Sequence, residues 1–202
     1  MKIYFFLIIF FSTFHCISQD FKGGISIGAV ASQVDGDFYS GYHKTGFLFG
    51  GFINRKLSDQ NVLQIELRYI QKGSHHRIDP NIPGSTYYKM RLNYAEIPVL
   101  FQYIYKNKYI IDVGPSVGVS FASLEEGINS SGQLITSHEN NFKRFEYAIQ
   151  GGVQLKLSTN FSAAFRAGYS LVPIRGKNAN IQLAMRGAQY NNLLTCILYY
   201  QF

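Results

Sequence analysis

At 202 residues the chain has room for one domain and no second core of any size. With 47% hydrophobic residues and a mean hydropathy of -0.03, it offers no uninterrupted apolar run after the N-terminus that could cross a bilayer as a helix. The formal charge of +7 is scattered among strand ends, with no basic face carrying interleaved aromatics, which argues against a nucleic-acid partner.

Met1-Lys2 is followed by the apolar run IYFFLIIFFSTF, too short to span a membrane and placed as the core of a secretory signal. Cys16 and Ser18 are small residues where a signal peptidase reads, so residues 1–18 are expected to be a signal peptide and residues 19–202 the mature domain. Acylation of Cys16 as a lipoprotein is disfavoured by His15 beside it. Removing the leader leaves Cys196 alone, so no disulfide scaffold is expected.

Eight extended segments follow. The first covers about residues 20–32, where Phe21, Ile25, Ile27 and Ala29 alternate with Lys22, Gly24, Ser26 and Gly28. The second, about 44–56, places Phe47, Phe49 and Ile53 on one face, but Leu48 and Phe52 make the other face apolar too. In the third, about 61–75, Leu63, Ile65, Leu67 and Tyr69 alternate with Gln64, Glu66 and Arg68.

The fourth, about 87–105, changes phase. Its apolar residues are Tyr88, Met90, Leu92 and Tyr94, then Ile97, Val99, Phe101 and Tyr103. One extra residue near Ala95-Glu96 would return both halves to one face, so a β-bulge is expected there, with Pro98 accommodated beside it.

The fifth segment, about 109–123, sets Tyr109, Ile111, Val113, Val117, Val119 and Phe121 against small residues and Asp112. The sixth (about 142–157) and seventh (about 161–171) alternate Phe145, Tyr147, Ile149, Val153 and Leu155, then Phe161, Phe165 and Tyr169, with polar and small residues. The eighth, about 189–202, keeps Leu194, Cys196, Leu198, Tyr200 and Phe202 in phase, opposite Leu193, Ile197 and Tyr199.

Connections alternate between short (residues 57–60, 106–108 and 158–160) and long and polar (33–43, 76–86, 124–141 and 172–188). Short turns at one end and long loops at the other, with an even strand number, is the plan of an outer-membrane barrel with its turns in the periplasm. A soluble, lipocalin-like barrel also alternates, but its outer face meets water and favours Lys, Glu and Thr. Here the polar face is mostly Gly, Ser and Ala with a few charges, which suits a narrow lumen. Aromatics at strand ends, such as Tyr103, Tyr105, Tyr109, Phe161 and Tyr200, suit interfacial girdles. The expected fold is therefore all-β: an eight-stranded antiparallel up-and-down transmembrane β-barrel in the cell outer membrane.

Leu92-Asn93-Tyr94-Ala95-Glu96-Ile97-Pro98, Val113-Gly114-Pro115-Ser116, Phe165-Arg166-Ala167-Gly168-Tyr169-Ser170 and the terminal aromatic strand resemble the PorT-like outer-membrane barrels of the Bacteroidetes, whose pattern includes L-x-Y-x-E-I-P. The resemblance implies an OmpA/OmpX-like barrel and a connection to secretion of surface proteins. Phe202 at the C-terminus resembles the signal read by the barrel-insertion machinery, a second expected partner besides outer-membrane lipids.

Glu66, Arg68, Arg91, Glu96, Asp112, Arg144, Glu146 and Arg166 are expected in the lumen, where opposite charges must meet. Glu96 is expected to pair with Arg68 or, failing that, Arg91. Ser74, His75 and His76 invite comparison with barrel lipases, but adjacent histidines on a strand point to opposite faces. With His43 or His138 they lack a ligand-spacing signature for metal. No residue is assigned as catalytic, cofactor-binding or metal-ligating. A non-catalytic structural or interaction barrel is the expected function, and a small-solute or lipid-handling barrel, including a lipid-modifying enzyme, is the alternative.

Overall fold

The computed structural model describes residues 21–37, 39–77, 87–128, 134–137, 142–176 and 187–202. The expected signal peptide and His138 lie outside the described residues. Within them are the strands β1 (Phe21–Asp35), β2 (Lys44–Lys56), β3 (Asn61–His76), β4 (Tyr88–Tyr105), β5 (Tyr109–Ile128), β6 (Leu134–Ser137), β7 (Phe145–Lys156), β8 (Phe161–Ser170) and β9 (Tyr190–Gln201).

Eight of these strands form a closed antiparallel ring, in which β1 pairs with β9, β4 with β5, and β5 with β7. Closure leaves the ring no free edge, which is what allows strands to sit in lipid. The remaining strand, β6, pairs among the described residues with residues 125–128 at the end of β5, within a segment read from sequence as loop. The turn between β4 and β5 places Lys106 and Asn107 at φ of 50° and 53°, the left-handed pair of a type I′ turn, and the Lys108 N–H donates to the Tyr105 carbonyl at 3.2 Å.

Around the middle of the ring the alternation has the expected sense. Ile25, Ile27, Phe47, Phe49, Leu67, Ile97, Phe101, Val113, Phe165 and Leu198 are exposed on the outer surface. Ser26, Gln64, Glu66, Arg68, Glu96, Asp112, Gln150 and Arg166 are buried in the lumen. On β9, Cys196, Leu198 and Tyr200 are exposed, Leu194 is half-buried, and Leu193, Ile197 and Tyr199 fill the interior.

The phase change in β4 has a different cause from the expected bulge at Ala95-Glu96. The β3–β4 register is constant from Asn61↔Tyr103 to His76↔Tyr88, so even-numbered residues of β4 point inward all the way from Tyr88 to Gln102. The register shift lies in the β4–β5 pairing, between Asn93 and Tyr94, where Asn93 faces Ala122 and Tyr94 faces Ser120. Phe121 is thus the extra residue, and β5 bulges rather than β4. Apolar Tyr88, Met90, Leu92 and Tyr94 face the interior, while Lys89, Arg91 and Asn93 face out.

Membrane thickness explains the inversion. The ten residue steps from Tyr103 to Asn93 rise ~33 Å along the strand, or ~25 Å along the barrel axis at a tilt of ~40°, the height of a lipid-facing band. Beyond Asn93 the outside is water, so the polar residues turn out and the apolar ones turn in. Arg91 therefore does not enter the lumen, and Arg144 is exposed just before β7 begins. Pro98 interrupts the β3–β4 ladder between Ile65↔Val99 and Arg68↔Glu96, since it has no N–H to donate; no bulge is needed to hold it.

Candidate functional site

The lumen is closed by a chain of buried charges of alternating sign. From the short-turn end upward, Arg166 on β8 clasps Asp112 on β5 through Nε and Nη2 at 2.8 and 3.0 Å, and reaches Glu66 through Nη1 at 2.8 Å. Glu66 accepts from Arg68 at 3.2 Å; Arg68 donates through Nε and Nη2 to Glu96 Oε2 at 2.9 and 2.7 Å. Lys72 then bridges Glu96 and Glu146 at 3.0 and 2.9 Å. The order is Asp112, Arg166, Glu66, Arg68, Glu96, Lys72, Glu146, with every side chain at most 1% exposed.

Neutral groups take up the remaining lone pairs. Tyr199 donates to Glu66 at 2.8 Å, Ser116 and Gln150 to Glu96 at 3.2 and 3.1 Å, and Asn191 and Ser170 to Glu146. Such saturation is what makes a buried ionic network tolerable. Two glycines make room for the guanidinium stems: Gly50 faces Arg68 and Gly152 faces Arg166 across their ladders. A Cβ on Gly152 would sit 2.6 Å from Arg166 Cγ, and one on Gly50 would sit 2.7 Å from Arg68 Cβ.

Of the charges expected inside, Glu66, Arg68, Glu96, Asp112, Glu146 and Arg166 are brought together, and Glu96 has Arg68 as its partner. Sequence reasoning missed Lys72, although it continues the even-numbered face of Glu66 and Arg68. It also missed Glu125 and Arg175, which lie in stretches read as loops.

Those two residues anchor a separate cap. Arg175 donates to both carboxylate oxygens of Glu125, at 2.7 and 3.0 Å, and to Gln189 at 2.9 Å. Its guanidinium lies 4.3 Å from the Phe142 ring centre, and Tyr88 donates to Glu125 at 2.6 Å. Beneath lies an apolar cluster that includes Val30, Val34, Ile70, Met90, Leu92 and Leu193.

Under the plug, at the short-turn end, lies a vestibule of about 570 Å³, lined by Phe52, Gln64, Gln102 and Gln154 together with Lys22, Lys56 and Lys156. Gln102 donates to Gln64 and Gln64 to Glu66, so its inner end is continuous with the plug.

The serine and histidines considered for catalysis diverge. Ser74 is buried close to Asp37, His76 stacks on Tyr39 with ring centres 4.4 Å apart, and His75 meets the edge of Tyr87. No hydrogen bond joins Ser74 to an imidazole among the described residues.

This combination of a closed ring, an apolar outer band and a charge-paired lumen is matched in sequence by the outer membrane protein β-barrel domain over residues 17–175. The chain belongs to that family. It is an outer-membrane β-barrel protein. No curated protein matches the chain. Among solved structures, Neisserial surface protein A is 12% identical, covers 89% of this chain and 97% of its own, and superposes with a TM-score of 0.54. Ail, the attachment invasion locus protein of Yersinia pestis, is 14% identical, covers 90% and 98%, and gives 0.52. At these identities the likeness is one of fold.

Proposed function

We propose that this outer-membrane barrel is non-catalytic and acts as a structural or protein-interaction element, with secretion of surface proteins as the process its loops or turns serve. The observation that carries this reading is the plug, in which seven charged side chains cross the lumen with every sign compensated by a neighbour and no described triad of nucleophile, base and acid. The residues of the L-x-Y-x-E-I-P element are used in construction: Leu92 and Tyr94 pack the interior, Glu96 joins two cations, and Pro98 faces the lumen. Contacts with a partner then fall to the exposed loops and turns.

The test pairs two measurements. A deletion strain should accumulate surface proteins in the periplasm, and the purified barrel in a planar bilayer should show no open channel. Normal secretion together with steady ion conductance would overturn the proposal. The vestibule supports the second reading, a small-solute barrel, because it is a polar recess of ligand size. Its inner end meets the plug, so under that reading a solute binds from the periplasm and does not cross.

A further inference from the structure

Charge is distributed unevenly around the barrel just above the lipid-facing band. On β3 and β4 the outward positions beyond Tyr69 and Asn93 include His75, Lys89 and Arg91 besides Gln71 and Gly73, followed by exposed Arg77. Lys44 at the head of β2 is buried behind them: its Nζ donates to the Thr45 carbonyl at 2.6 Å and to Gln71 at 3.3 Å, and Gln71 donates to Asn93 at 3.3 Å. Lys44 lies within electrostatic reach of both Arg91 and Lys89, and His75 within reach of Arg77, Lys89 and Lys44.

Among the described residues one carboxylate answers them, Glu126, at 3.5 Å from Lys89. Arg91 Nε is enclosed yet donates to nothing among the described residues. The basic rim continues past β5 at exposed Lys143 and Arg144. On the opposite side, at the ends of β1 and β9, the corresponding groups are Asp35, Gln33, Asn192 and Tyr42, bonded to one another and carrying no cation.

Directly below the cations is an aromatic wall. Phe47 and Phe49 each pack on Tyr69 at 5.2 Å between ring centres, and Tyr69 reaches Phe121 at 6.0 Å over the small side chain of Ala95. Tyr69 marks the boundary, with its ring among the aromatics and its hydroxyl donating to Asn93 at 2.9 Å. Phe121 is the bulged residue of β5, so the register shift is what brings this ring to the wall.

Cations that outnumber the described acids, directly above a lipid-facing aromatic surface, describe a molecule with an anionic head and acyl chains. Guanidinium and ammonium groups bind phosphate oxygens through charge-assisted hydrogen bonds, and the unpartnered Arg91 Nε is a donor in reserve. We propose that the outer face of β2–β5 seats an outer-leaflet lipid with a phosphorylated headgroup, with Arg91 and Lys89 on the phosphate and Phe47, Phe49, Tyr69 and Phe121 along its chains. This seat depends on the membrane location and not on the role proposed above.

The full-length barrel in detergent micelles, checked for folding by its shift on an unheated gel, is mixed with bis-phosphorylated lipid A or its dephosphorylated counterpart and examined by native mass spectrometry. The wild type should retain the phosphorylated lipid at least about tenfold more tightly than the dephosphorylated one, the equivalent of about 1.4 kcal/mol. Lys89→Gln with Arg91→Gln should lose that preference, while Lys106→Gln with Lys108→Gln at the opposite end should keep it. Equal retention of the two lipids by the wild type, or an unchanged preference in the Lys89/Arg91 variant, overturns the proposal. So does displacement by millimolar inorganic phosphate, which would make the patch a free-anion site. Should the double variant fail to fold, the two lipids on the wild type still decide the matter.

Discussion

The middle of the barrel and its loop-side end are built inside out relative to each other. Between Ile65 and Tyr69 on β3, the outward residues Ile65 and Leu67 are apolar and the inward Glu66 and Arg68 are charged. On β4, between Tyr88 and Asn93, the inward Tyr88, Met90 and Leu92 are apolar while the outward Lys89, Arg91 and Asn93 are polar. Both stretches obey period two, and the same strand pairing runs through them without a slip. What differs is the medium outside the wall. Lipid makes outward polar groups costly and pushes charge into the lumen, where it must be paired; water lets the interior become an ordinary hydrophobic core.

The comparison implies that the two interiors fail differently. The largest effect is expected at Glu96, because Glu96→Ala would leave Arg68 and Lys72 each short of a partner in a sealed lumen, costing about 3–5 kcal/mol. Reversible urea unfolding in detergent measures this; a cost below that of a simple packing mutation would break the contrast. Leu92→Ala, at the apolar end, should cost about 2–4 kcal/mol by opening a cavity. It should leave the middle of the barrel closed, which amide exchange would report as loss of protection confined to the loop side.

A third effect separates the regions by pH. Asp37, beyond β1 at the loop side, has one carboxylate oxygen bonded to the Tyr39 N–H at 2.9 Å and the other without a partner among the described residues. Burial is the main reason its pKa is pushed up from 3.8 to about 6. The folded chain then holds this proton more tightly than the unfolded chain, so the stability it contributes is complete below about pH 4 and is lost as pH rises through about 6. Loop-side stability should fall by about 1–3 kcal/mol across that window. Asp37→Asn should flatten the profile; an unchanged slope in that variant would assign the dependence to another group.

The smallest effect on stability is expected at Phe202. It is exposed, its N–H donates to the Gly23 carbonyl at 2.9 Å, and its ring meets Tyr200 edge-on at 5.7 Å. Phe202→Asp should change unfolding by no more than about 0.5 kcal/mol, as for an exposed position away from the core. It should nevertheless lower the amount inserted into the outer membrane, with Phe202→Leu less affected. Equal yields of wild type, Phe202→Leu and Phe202→Asp would remove any role in insertion.

Strand number, the outward face at mid-membrane and most of the plug were legible in the sequence, because lipid imposes one polarity rule on every strand at that depth. Glu66, Arg68, Glu96, Asp112, Glu146 and Arg166 all stood on the polar face of an alternating segment, and Glu96 beside Arg68 follows from pairing charges across neighbouring strands. Tertiary structure alone decided where that rule stops. A polarity reversal along one strand looks the same whether the chain bulges or the medium changes, and only the β3–β4 and β4–β5 registers separate the two, moving the bulge to Phe121 and Arg91 to the outer rim. The cap formed by Glu125 and Arg175, 50 residues apart in the chain, was likewise out of reach, since nothing local in either segment marks a partner that closure of the ring brings to it.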